Sequence, residues 1–182
     1  GSISPDSISP FPIVKTWVVV VKVNSSKPSS PRKTNPSPPR SAITLAIIGS
    51  FSIGATPSAI AFGKMPTPHE MSETEIANTV KAFAAAAQRA VEAGFDLVEI
   101  HSAHGYLIHQ FLSPLSNART DQYGGNFQNR TRFLIQIVDA VRAVIPEQMP
   151  LFVRISATDW VDGGWDIAQS VEIAEILKHI GV

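Results

Sequence analysis

Residues 96–125 read DLVEIHSAHGYLIHQFLSPLSNARTDQYGG, and the opening of this stretch decides the fold. Leu97, Glu99 and His101 alternate with Val98 and Ile100, the period of two that turns successive side chains to opposite faces of a strand. A strand is therefore expected over 96–101, with two faces meeting different neighbours. Gly94 closes a helix just before it. His101, His104 and Tyr106 then deliver two imidazoles and a phenol where the strand runs out. In parallel α/β folds, ligands bind at that C-terminal end.

Downstream, a long loop over 102–128 is punctuated by Gly105, Pro114, Gly124 and Gly125. Loops of such length inside a compact domain usually carry function. A helix is predicted from about Asn129 to Ile145, with Leu134, Ile137, Val138, Val141 and Ile145 on its buried face and Pro146 as its stop. Leu151–Ser156 (LFVRIS) follows as a second strand, on which Phe152, Arg154 and Ser156 share a face. After a loop over 157–165, Asp166 caps a third helix with Gln169 at its third position, and Ile167, Val171, Ala174 and Leu177 point inward on the way to Gly181. Upstream, Ser72 and Glu75 have capping-box spacing and Met71 can staple onto Ile76. Ile76, Val80, Phe83, Ala87 and Val91 then mark an amphipathic helix ending at Gly94. Helix, strand, helix, strand, helix implies parallel strands joined by right-handed crossovers.

Residues 1 to about 55 differ in character. Ile13–Val23 is β-branched and suits a strand, whereas Asn24–Arg40 is rich in Ser, Pro, Lys and Arg and contains no acid. Such a segment buries too little apolar surface to offset the entropy of ordering, and is expected to be disordered. Ala42–Phe62 is uncharged and about long enough to cross a bilayer, but Gly49, Gly54, Pro57 and several hydroxyl residues dilute it. The chain of 182 residues has a formal net charge of zero and no cysteine. Nothing global points to nucleic acid or an anionic membrane as partner, and thiolate chemistry is excluded.

The residues at the strand ends leave several chemistries open. His101 and His104 can converge on one oxygen and stabilise negative charge there, or be satisfied within a core. As metal ligands they need a third partner, for which His109 or Glu99 is the nearby candidate, and a strand-to-loop HxxH lacks the helical register of HExxH sites. Tyr106 suits proton donation, ligand positioning or simple packing. Arg154 in the middle of a β-run is costly to bury unless it meets an anion or a carbonyl-rich ligand, and an ion pair with Glu99 is its other reading.

The text EIHSAHGYLIHQFLSPLSNARTDQYGG, with NRTRFLIQIVDAVRAVIP and PLFVRISATDW after it and TPSAIAF before it, resembles the old yellow enzyme family, close to its thermophilic-like branch. The resemblance covers roughly residues 56–182, with Gln128 where the family usually has Glu. It implies an α/β fold, a partial (β/α)8 TIM barrel holding about strands 4 and 5, behind a divergent extension over 1–55. It also implies FMN as cofactor, NADPH or NADH as reductant, an activated alkene such as an enone as substrate, no metal, and a cytoplasmic location. By resemblance His101 and His104 hold the substrate's carbonyl oxygen, Tyr106 donates a proton or positions substrate, and Arg154 contacts the flavin. The barrel's other strands and the phosphate site after strands seven and eight have no counterpart here, so weak or absent FMN binding is expected. Two unpaired sheet edges point to self-association, and a non-catalytic interaction fragment is the alternative function.

Overall fold

The β-branched run Val18–Val23 forms strand β1, which pairs antiparallel with β2 (Ile43–Ile47). This computed structural model describes residues 18–23, 43–47, 54–61, 63–64 and 66–182. The linker expected over 24–40 lies outside the described residues, as does Ile13–Trp17. Two short strands follow, β3 (Ala55–Thr56) and β4 (His69–Glu70), paired parallel to each other. No helix among the described residues is long and apolar enough to cross a membrane.

Helix α1 (Glu73–Glu92) starts at the expected capping box: Ser72 Oγ accepts from the Glu75 N–H while the Glu75 carboxylate accepts from the Ser72 N–H. Ala93 caps its other end, and β5 (Leu97–Ser102) begins within a few residues. A short helix, α2 (Leu107–Leu112), follows at once. Its presence corrects the expectation of an unbroken loop over 102–128. At six residues it is too short to show a helical period of its own. Helix α3 (Phe127–Arg142) is capped by Asn126 and lies slightly earlier than predicted. Strand β6 (Leu151–Ile155) and helix α4 (Ile167–His179), capped by Asp166 onto the Gln169 N–H, complete the chain.

The sheet order is β2-β1-β5-β6. Strands β5 and β6 are parallel, with Glu99 opposite Phe152 and His101 opposite Arg154. β1 runs antiparallel along the other side of β5. The sheet still ends in two edges, but one of them is not the expected one: β1 covers one side of β5, and among the described residues the outer sides of β2 and β6 bear no strand. The helices cover one face of this sheet. Val98, Ile100 and Leu151 pack there against Phe83 and Ala87 of α1, Leu134, Ile137, Val138 and Val141 of α3, and Ile173 and Leu177 of α4. Each of the larger of these side chains taken fully out of water contributes about 1.5–3 kcal/mol.

The buried stripe of α4 meets the predicted one only at Leu177. Ser170 and Ile173 are buried with it, whereas Ile167, Val171 and Ala174 are exposed. This helix carries apolar residues on two stripes, so periodicity alone could not choose between them. Contact with α3 and the sheet selects the Ile173–Leu177 side, and the other stripe has no cover among the described residues. The opposite face of β5 and β6 is open, with Phe152 half exposed on it.

Candidate functional site

Alternation in β5 puts Val98 and Ile100 into the core and leaves Glu99 and His101 on the other face, so His101 sits at the strand's C-terminal end beside the open side of the sheet. The chain then turns sharply. His104 and Gly105 both take left-handed backbone conformations, with φ of 60° and 74°, a region that glycine enters freely and histidine at a cost. The turn folds the next side chains back over the strand end. The His104 ring lies 5.0 Å from the His101 ring, and the Tyr106 ring 5.3 Å from it, centroid to centroid. The structure thus brings three of the sequence-predicted residues together as one cluster.

His101 is buried, and its Nδ1 has no hydrogen-bond partner. Burial pushes its pKa below the ordinary histidine value, and the neighbouring His104 and Arg154 push in the same direction. It is therefore a neutral imidazole at pH 7 with a nitrogen not spent on the protein. Tyr106 is more than a third exposed at the mouth of the cluster.

Arg154 stands beside His101 in strand register, and its guanidinium makes a two-point ion pair with Glu99, Nε to Oε1 at 2.8 Å and Nη2 to Oε2 at 3.2 Å. The side chain is about half exposed on the open face, so it is not the buried cation that its place in a β-run suggests. Glu99 engages only two of the guanidinium's N–H donors, and raises the arginine pKa further.

Sequence reasoning missed the groups that hold the turn. Ser156 Oγ accepts from the His104 N–H at 2.9 Å, His109 Nδ1 accepts from the Gly105 N–H at 2.8 Å, and the Gln110 amide donates to the Gly105 carbonyl at 2.7 Å. His109 and Gln110 lie one helical turn past Gly105, a signal visible only once α2 is known. Ser156 shares the face of Arg154, and that spacing was readable. The rest of the long loop is pinned by two buried arginines. Arg119 binds Asp121 and the carbonyls of Pro57 and Met71, and Arg130 binds the carbonyls of Leu112 and Gly125 and the side chain of Gln169. Among the described residues no group of three or more His, Asp or Glu side chains is placed to hold a metal ion.

The cluster offers imidazole and phenol groups on one side and a guanidinium on the adjacent strand. The half-exposed Arg154 guanidinium on the open face suits a flat heteroaromatic group with carbonyl oxygens, such as FMN, while the buried His101 beside it keeps a nitrogen without a protein partner for a second ligand.

Comparisons with known proteins agree on the lineage. The family model for the NADH:flavin oxidoreductase / NADH oxidase family matches residues 41–182. An NADPH dehydrogenase of Bacillus subtilis is 57% identical over 127 residues, covering 69% of this chain and 37% of that protein. An NADH:flavin oxidoreductase of Gibberella zeae is 48% identical over 138 residues, covering 69% of this chain and 33% of its own length. Among solved structures, a 2-naphthoyl-CoA reductase in complex with 2-naphthoyl-CoA aligns with a TM-score of 0.66 at 34% identity, over 74% of this chain and 21% of that one. A morphinone reductase variant in complex with tetrahydroNAD aligns with a TM-score of 0.62 at 33% identity, over 70% of this chain and 40% of that one. The chain spans about a third of the length of the curated relatives it matches, 33–37% for these two. Parallel β5 and β6, the helices that cover one face of their sheet, and the cluster at the strand ends correspond to part of a barrel, and with the match over 41–182 they establish that the chain belongs to the NADH:flavin oxidoreductase / NADH oxidase family, the old yellow enzyme family.

Proposed function

We propose that the chain is a segment of an FMN-dependent, NAD(P)H-driven ene-reductase that reduces the activated C=C bond of an enone. The observation that carries this reading is the convergence of His101, His104 and Tyr106 at the C-terminal end of β5, with ring separations of 5.0 and 5.3 Å. FMN, when bound, supplies the hydride for the β-carbon of the alkene. The protein's part is electrostatic and positional. His101 and His104 donate to the carbonyl oxygen and stabilise the charge that builds there as the alkene is reduced. A neutral His101 suits this role, because it donates without surrendering a proton to the oxygen. Tyr106, at the exposed mouth, holds the substrate or gives a proton to its α-carbon. Arg154 would hold the flavin by its pyrimidine carbonyls, its fixed cation favouring negative charge there. A cytoplasmic location belongs to the same reading, and cell fractionation tests it.

The test is an FMN titration of the whole chain followed by flavin fluorescence, with circular dichroism on the same sample. Saturable but weak one-to-one binding is the expected result, and NADPH-driven reduction of a simple enone by the loaded chain then supports the reading. His101→Ala should weaken binding of a small phenol about tenfold, the loss of one charge-assisted hydrogen bond, and unchanged affinity would remove the role. The open sheet face favours one second reading, a non-catalytic fragment that associates through that surface. A folded chain that binds no FMN at any concentration and self-associates would support it.

A further inference from the structure

His109 belongs to neither the substrate cluster nor the apolar core, yet it is buried and both sides of its ring meet polar groups. On one side Nδ1 accepts from the Gly105 N–H at 2.8 Å. A backbone amide can only donate, so this nitrogen carries no proton and the neutral ring holds its hydrogen at Nε2. On the other side Nε2 lies 3.0 Å from Asp159 Oδ1, between two side chains each about 10% exposed, an electrostatic contact rather than a well-aligned hydrogen bond. Asp159 is itself fixed. Its Oδ2 accepts from the Ser113 hydroxyl at 2.6 Å and from the Trp165 N–H at 2.8 Å. Gly164 packs so close that a Cβ there would stand 2.8 Å from Asp159 Cβ.

We propose that His109, oriented by Asp159, is a positioning residue for the His101, His104 and Tyr106 site: its neutral Nε2–H tautomer grips the Gly105 backbone and so fixes the two flanking side chains. The proposal rests on the proposed function for the purpose of the site, whereas the grip itself stands on the geometry alone. Gly105 lies between His104 and Tyr106, and His104 is held at a φ of 60°, a conformation a histidine keeps only when its surroundings over-determine it. The links run from the loop after β6, through Asp159 and His109, to the turn after β5. Two neighbouring strand ends are thereby tied together at the height of the cluster. Ser156 makes a second tie at the His104 N–H, so the turn is held on both of its amides.

Burial also lowers the His109 pKa, with Asp159 opposing part of the shift, and this keeps the ring neutral. Were Nδ1 protonated, two N–H groups would face each other across 2.8 Å and the turn would have to open.

The test uses the full 182-residue chain labelled with nitrogen-15 at histidine and glycine. Long-range proton–nitrogen spectra should show His109 in the Nε2–H form with a hydrogen-bonded, unprotonated Nδ1, and the Gly105 amide should be protected from exchange. His109→Leu removes both contacts. It should shift the His101 and His104 ring signals, expose the Gly105 amide, and weaken binding of a small phenol roughly ten- to a hundredfold. His109→Gln, whose amide can accept from Gly105 and donate to Asp159, should restore the ring signals and most of the affinity. An Nδ1–H tautomer in the wild type, or His104 signals unmoved by His109→Leu, would overturn the proposal. If the leucine variant does not fold, the wild-type tautomer, the Gly105 protection and the glutamine variant still decide it. If the wild type binds no phenol, the proposed function fails while the ring signals and the Gly105 amide judge the grip separately.

Discussion

His101 and His109 are both neutral because they are buried, and this has a consequence for stability. Burial holds each below the ordinary histidine value of 6.5, so the unfolded chain accepts protons that the folded chain refuses. Stability is therefore complete above the unfolded pKa and is lost as pH falls below about 6.5. Urea midpoints measured through this range should drop on acidification, and His109→Gln should make the slope shallower; a flat profile would contradict the buried neutral state. Arg154 behaves differently. Its guanidinium is half exposed although the Glu99 carboxylate is only 15% exposed, so the pair lies at the rim of the sheet and contributes on the order of 1 kcal/mol. Arg154→Ala should leave the unfolding midpoint nearly unchanged while weakening FMN binding by the full chain. A large stability loss with unaltered flavin affinity would make the residue structural.

At the scale of the elements, two joints carry the described fold. The capping box at the start of α1 pulls the Glu75 carboxyl down to about 2 through its bonds to Ser72, and Ser72→Ala should cost about 1 kcal/mol in urea unfolding. Arg119 is the stronger joint, because its buried guanidinium ties Pro57 and Met71 to the long loop. Arg119→Ala should cost roughly 3–5 kcal/mol by leaving Asp121 and two carbonyls without their donor. Arg119→Lys should recover little of it, since a point charge cannot span the same acceptors; near-wild-type stability of the lysine variant would refute that geometry. The capping box was legible in the sequence because a cap is local, four residues that satisfy one another. The strand 97–102 and the buried stripe of α3 were legible for the same reason, through clean periods of two and 3.6. The inward stripe of α4 was legible only at Leu177, because Ile167 and Val171 compete with Ile173 and only tertiary contact decides. Asp159 was equally hidden as the partner of His109, fifty residues away in sequence. His101, His104 and Tyr106 were found by their place at a strand end, whereas the residues that hold their turn required the fold.

The whole molecule presents one sheet whose two faces have unequal fates. Helices α1, α3 and α4 bury one, and the other carries half-exposed Phe152 beside the Glu99–Arg154 pair, next to a β6 edge that bears no strand among the described residues. An exposed aromatic side chain beside an unpaired strand edge is a template for another chain. A second copy offers the same edge, and two such edges can pair about a two-fold axis. Sedimentation velocity should therefore show association that grows with concentration, and Phe152→Lys, which sets a charge on the shared surface without touching the buried core, should shift the population toward monomer. A distribution that stays monomeric at every concentration would show that the open face does not seek a copy of itself. FMN then reads the functional side of the same equilibrium. The flavin site of a barrel draws groups from several strand ends, so flavin added during sedimentation should travel with the associated species. Flavin travelling with the monomer would instead mean that the cluster on β5 and the cation on β6 suffice to hold it.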